Sequence, residues 1–196
     1  MEKFRNKYRI PSTRLQTWDY GWNGSYFVTI CTHMRICYFG IIESGVMHFS
    51  ELGSVAERLW LEIPEHFPFV QLSEFVIMPN HVHGIIIINK TIVETQNFAS
   101  LQSPPTRPGI PTQSPAVTKT TGLPKNRFGP QTQNLASIIR GYKTGVKKYS
   151  YLKTPEFKWQ SRFHDHIIRN NTEYERIKKY IINNPANWLN DNFFNS

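Results

Sequence analysis

A chain of 196 residues can bury a real core, and its length fits one domain of ordinary size. Its 39% hydrophobic and 14% aromatic residues exclude a wholly disordered or fibrous protein. Twenty-three Lys and Arg against 14 Asp and Glu leave a formal charge of +9, which draws polyanions by counterion release and places nucleic acid first among partners. Cys31 and Cys37 are the two cysteines, no basic and apolar leader precedes them, and the longest apolar run, Gly84 to Ile88, is far below the roughly 20 residues of a membrane-spanning helix. The expectation is a cytoplasmic, nucleoid-associated protein without a membrane partner.

In chain order, Ser25 to His33 is rich in β-branched and aromatic residues after Gly21 and Gly24, and reads as the first strand. Cys37 to Ile42 and Val46 to Phe49 read as two short strands around a Glu43-Ser44-Gly45 loop. From Ser50 the apolar spacing becomes helical, with Leu52, Val55, Ala56, Leu59, Trp60 and Ile63 on one stripe, and Pro64 stops it. Phe69 to Met78 and Val82 to Ile88 read as two strands about a Pro79-Asn80 turn.

Residues 91 to 134 hold seven of the 13 prolines and a single acid, Glu94, with no periodic apolar pattern, so a disordered insertion in one domain of 1–196 is expected there. Leu135, Ile138, Ile139, Tyr142 and Val146 then resume helical spacing, with Arg140, Lys143, Lys147 and Lys148 as a basic surface suited to phosphate. The last helix is signalled by Thr172-Glu-Tyr-Glu175 and must finish near Asn184, before Pro185. Its core stripe is Tyr174, Ile177 and Ile181, with Tyr180 and Asn184 together along one border, one turn apart. The order predicts an α+β domain, an antiparallel sheet covered by helices on one face, similar to a ferredoxin-like or RNA-recognition-motif sheet.

His81-Val82-His83 is the sharpest local feature, because strand alternation puts both imidazoles on one face, where they can hold a divalent ion against a phosphate. An His-x-His in a strand serves equally as a structural pair. His164-Asp165-His166 has the same spacing, within an aromatic and basic stretch that includes Trp159, Arg162 and Arg169. It reads as a segment beside the DNA whose histidines touch phosphate or support the metal ligands, with metal ligation and a core role as the alternatives. No Ser-His-Asp order, glycine-rich phosphate loop or carboxylate cluster is evident, which leaves tyrosine as the nucleophile. Composition cannot choose among nine tyrosines, but Tyr180 has Asn184 one turn away to complete a three-ligand site, whereas Tyr142 continues a core stripe.

Met78-Pro-Asn-His-Val-His-Gly-Ile85 resembles the His-hydrophobic-His segment of single-tyrosine transposases, specifically the REP-associated tyrosine transposases of bacteria. Trp159-Gln-Ser-Arg-Phe-His-Asp-His-Ile-Ile-Arg169 resembles that family's second block, and Tyr174 to Pro185 its nucleophile helix with Tyr-Ile-x-x-Asn-Pro. The resemblance covers the segments on either side of the proline-rich insertion, which has no counterpart in the compact family pattern. It implies that His81 and His83 bind Mg²⁺ or Mn²⁺, that Asn184 is the third protein ligand, and that Tyr180 attacks single-stranded DNA. Related insertion-sequence enzymes use a glutamine where Asn184 stands. The implied activity is cleavage and rejoining through a 5′-phosphotyrosine at hairpin-forming repeats, by a monomer or homodimer. Competing readings are a non-catalytic single-strand binder, a replication initiator or relaxase, and, third, a zinc hydrolase.

Overall fold

The computed structural model describes residues 3–4, 7–8, 15, 18–90 and 132–194. The expected insertion lies outside them except for residues 132–134. Elements run in the order β1 (Lys3–Phe4), β2 (Lys7–Tyr8), β3 (Gly24–Cys31), β4 (Gly40–Glu43), β5 (Val46–Phe49), α1 (Glu51–Leu61), α2 (Ile63–His66), β6 (Val70–Met78) and β7 (His81–Ile88). After the insertion come α3 (Leu135–Lys153), β8 (His164–Ile168), α4 (Asn171–Asn183) and a 3-10 turn, Pro185–Asn190.

Four strands form one sheet in the order β6-β7-β3-β8, every neighbouring pair antiparallel. With α1 between β3 and β6 and α3 between β7 and β8, this is the β-α-β-β-α-β arrangement of a ferredoxin-like sheet, the fold class the sequence predicts. Strand alternation turns Tyr26, Val28, Ile30, Val82, Ile86 and Ile88 to α1 and α3, where they pack with Phe39, Trp60, Ile138, Tyr142 and Phe157. Gly84 is required by this packing, since a Cβ there would lie 2.3 Å from the Trp60 ring. The expectation of helices on one face holds for α1 and α3, and α4 adds a cover on the other, where Ile177 and Ile181 pack on Ile85.

Local chemistry explains most boundaries. Ser50 caps α1 by accepting from Gly53 N, and Pro64, expected to end that helix, sits instead at the start of α2. In the β4–β5 loop Ser44 and Gly45 both take positive φ, 50° and 77°, the geometry of a tight hairpin turn. The last helix starts two residues earlier than a cap at Thr172 would place it, because Asn170 is the cap, its side chain accepting from Glu173 N. The strand β8 was not foreseen as a strand. Among the described residues no helix is long and apolar enough to cross a membrane.

Candidate metal centre and tyrosine

His81 and His83 open β7 on the face turned toward α4, and both are buried, at 0% and 1% exposure. Their rings lie 4.4 Å apart between centroids. Asn80 Oδ1 is 2.8 Å from His81 Nδ1 and can only accept, so that nitrogen carries the proton and Nε2 keeps its lone pair. That Nε2 is buried and has no hydrogen-bond partner among the described residues. His83 Nδ1 meets Thr29 Oγ1 at 2.8 Å, and its Nε2 lies 3.2 Å from the Tyr180 hydroxyl. Burial, reinforced by the neighbouring His83 and by the Arg35 guanidinium, holds His81 well below the ordinary imidazole range. Burial, reinforced by His164, brings His83 down to about 3. Two neutral imidazoles therefore meet at one point, each oriented through its other nitrogen, as metal-binding histidines are.

Oxygen donors come from the C-terminal segment. Asn184 ends α4, is 2% exposed, and keeps its Oδ1 without a hydrogen-bond partner. Beyond the 3-10 turn the chain doubles back, and Asp191 comes to the histidines: ligand atoms of His81, His83 and Asp191 all lie within 4.8 Å of one another. These three residues form a group able to hold a metal ion. The orphaned nitrogen of His81, the imidazole of His83 and the carboxylate of Asp191 fit a divalent ion of the Mg²⁺, Mn²⁺ or Zn²⁺ kind. The sequence reading did not mark Asp191, because no local spacing links it to the histidines; only the reversal after Pro185 brings it there.

The same segment closes over the pair. Phe193 lies 4.6 Å from His81 and 5.8 Å from His83 between ring centroids. Asn80 Nδ2 donates to the Phe193 carbonyl at 2.8 Å, and Arg35 donates to that of Asn192 at 2.6 Å. Asn80 thus orients His81 and anchors the chain that carries Asp191.

Tyr180 lies on α4 at the border of its buried stripe, 44% exposed, with its ring against His83 and Phe27. Burial and the charge of Asp191 raise its pKa, which a hydrogen bond from Asn184 partly opposes. Tyr142 differs: it is 4% exposed, it donates to the Ala56 carbonyl at 3.1 Å, and burial pushes its pKa far up.

The expected nucleic-acid residues divide between the two sides of the sheet. In register His164 pairs with Thr29 and His166 with Phe27, so both histidines of β8 share the face of His81 and His83, and both are exposed. Nε2 of His166 is 2.7 Å from Glu173 Oε1. Arg162 and Arg169 flank β8 and are exposed. Arg140, Lys143 and Lys147 belong to α3, which covers the opposite face, and are not brought to the histidines. Lys143 Nζ donates to the Gln160 carbonyl at 2.6 Å and Lys147 Nζ to that of Phe157 at 2.6 Å, while Trp159 Nε1 donates to the Lys143 carbonyl at 3.0 Å. These three residues dock the segment before β8 onto α3.

No known family model matches the chain. Among solved structures, a REP-associated tyrosine transposase bound to a REP hairpin aligns with 91% of this chain and 74% of its own, with a TM-score of 0.53 and 17% identity, which establishes a shared fold. An uncharacterized protein of Haemophilus influenzae (strain Rd) is 35% identical over 184 residues, covering 93% of this chain and 92% of that protein. At that identity and coverage, the chain belongs to the same family as the Haemophilus influenzae protein.

Proposed function

We propose that the protein is a metal-dependent single-tyrosine transposase that cuts and rejoins single-stranded DNA. The observation that carries this reading is the Tyr180 hydroxyl, 3.2 Å from Nε2 of a buried neutral histidine that shares its face with His81 and Asp191. His81 and His83, with Asn184, Asp191 or both, would hold Mg²⁺ or Mn²⁺. When bound there, the ion supplies Lewis-acid polarisation of the scissile phosphate. Tyr180 then attacks phosphorus: a bond forms from its phenolic oxygen, the bond to the 3′-oxygen breaks, and a 5′-phosphotyrosine is left beside a free 3′-hydroxyl. The phenol gives up its proton to solvent during attack and the departing 3′-oxygen takes one from solvent, so the exchange of one ester for another releases no net proton. Thr29 and Asn80 keep the two imidazoles turned with Nε2 toward the reaction. His164 and His166 lie on the open part of the same face and, with the exposed Arg162 and Arg169 that flank β8, suit the phosphates of a single strand or hairpin repeat, with bases stacked on exposed rings. Arg140, Lys143, Lys147 and Trp159 serve the strand only if it extends around the sheet edge. The bound likeness, a transposase on a REP hairpin, supports hairpin DNA as the substrate class.

The test incubates labelled hairpin-bearing single-stranded DNA with wild type and with Tyr180→Phe, with Mn²⁺, with Mg²⁺ and with chelator. A covalent adduct is expected only with wild type and metal. Cleavage by Tyr180→Phe would overturn the nucleophile, and binding without cleavage by wild type would leave a non-catalytic single-strand binder.

A further inference from the structure

Of the described residues of the helix that carries Tyr180, Ile177 and Ile181 are buried, against Ile85, and Phe27, Val76, Ile87, Ile168 and Tyr174 pack around them while still partly exposed. So small a core specifies the rotation and axial position of a helix weakly. A polar chain at the edge of the sheet supplies what is missing. The pairing of β6 with β7 shifts register between Leu72 and Phe75, so β6 carries one extra residue there. In an unbroken strand Glu74 would face α1 and α3. The bulge brings both Ser73 and Glu74 to α4: Ser73 Oγ donates to Glu74 Oε2 at 2.7 Å, which leaves the Tyr174 hydroxyl to donate to Ser73 at 2.5 Å. Lys178 Nζ meets Glu74 Oε1 at 2.8 Å. Tyr174 and Lys178 are one turn apart on α4, so a single carboxylate gathers two points of the helix.

We propose that the β6 bulge is a positioning device for Tyr180. Ser73 and Glu74 fix the axial position and rotation of α4 through Tyr174 and Lys178, and so set the Tyr180 hydroxyl, roughly 9 Å further along the helix than Tyr174, at the histidine pair. This rests on the reading of Tyr180 as the nucleophile. Magnitudes separate a positioning role from a merely structural one. Glu74 and Lys178 are each about a third exposed (30% and 35%), so their pairing contributes little to stability. Displacing a reacting atom by about 1 Å costs on the order of 100-fold in rate.

The experiment uses the full-length protein with ¹³C-labelled tyrosine, the Tyr180 ring signal being assigned by its loss in Tyr180→Phe. Three variants are compared with wild type: Ser73→Ala with Glu74→Ala, Glu74→Lys alone, and the exchange of Glu74→Lys with Lys178→Glu. Single-turnover adduct formation is expected to fall about tenfold or more in the first two, at unchanged single-strand affinity and melting temperature, with the Tyr180 signal moving toward that of a solvated ring. The exchange restores the ion pair and should recover most of both. An unmoved Tyr180 signal with an unchanged rate in Ser73→Ala with Glu74→Ala would overturn the proposal. So would a loss that follows melting temperature and is not recovered by the exchange. Should wild type form no adduct, the nucleophile reading fails by itself; the ring signal and its recovery still decide whether the bulge positions the helix.

Discussion

On one face of the sheet, Tyr26, Val28, Ile30, Val82 and Ile86 disappear under α1 and α3 together with Trp60, Phe39 and Phe157. On the other, the same strands present Thr29, His81 and His83 beneath one helix and a returning C-terminal segment. The first face is apolar, deep and aromatic, and it holds the fold. The second buries two of the three side-chain polar atoms that lack a hydrogen-bond partner among the described residues, His81 Nε2 and Asn184 Oδ1, the third being Trp60 Nε1 on the first face, and each costs free energy until something binds it.

The sharpest way to break the comparison is through two tyrosines. Both are helical, but Tyr142 fills the first face and Tyr180 borders the second. Tyr180→Phe is expected to lower cleavage by several orders of magnitude while binding persists, since it removes the attacking oxygen. Tyr142→Phe should keep cleavage and lose about 1 kcal/mol of stability, the phenol's bond to Ala56 being the only change. Adduct formation and urea midpoints on both variants check this, and equal losses of activity would erase the distinction.

A contrast in stability follows. Trp60→Ala removes a fully buried ring under β7 and should cost about 4 kcal/mol, whereas Ile177→Ala under α4 should cost about 2, near the lower end for such truncations, because the site beneath is small and can collapse. Chemical denaturation of both variants measures it. A larger cost for Ile177 would mean that α4 is more firmly seated than its core indicates.

The third expectation separates two oxygen donors. Asp191→Ala should weaken Mn²⁺ binding about tenfold to 100-fold by calorimetry, because a carboxylate beside two imidazoles supplies both a ligand and a charge. Asn184→Ala should weaken it less, as a neutral amide does. The reverse order would return the third-ligand role to Asn184, as the family resemblance implies.

The sequence made the first face legible: helical stripes at residues 52–63 and 135–146 and the long strands are strong periodic signals, and they predict the ferredoxin-like order. The His-x-His pair and the border position of Tyr180 were legible for the same reason, since each depends on period alone. β8 was not, because a five-residue edge strand with two exposed histidines and an aspartate carries little apolar alternation. Lys143, Lys147 and Trp159 looked like a phosphate-binding surface, yet their polar atoms bond to main chain across the 155–160 segment; charge patterning cannot show which carbonyls come within reach. Asp191, Thr29 and Asn80 escaped because their relation to the histidines is tertiary or rests on a side-chain hydrogen bond that spacing does not encode.

The smallest expected effect is in pH. His83 is held at about 3 against an ordinary 6.5, and His81 is also held well below that value, so between pH 3 and 6.5 the unfolded chain binds protons that the folded one refuses. Stability of the metal-free protein therefore falls as pH drops through this window, by an amount on the order of 1 kcal/mol for His83 alone at pH 5.5 relative to pH 7.5. The two carboxylates held low by the fold do not explain a decline at pH 5.5. Glu74 is held below its ordinary range chiefly by Lys178, and Glu173 chiefly by the Arg169 backbone N–H, so their stabilisation is present above the unfolded carboxylate range and is lost only at lower pH. Urea midpoints measured with chelator at pH 5.5, 6.5 and 7.5 should decline toward acid in wild type and decline less in His83→Gln. An equal decline in both would mean that His83 is not the buried neutral imidazole described.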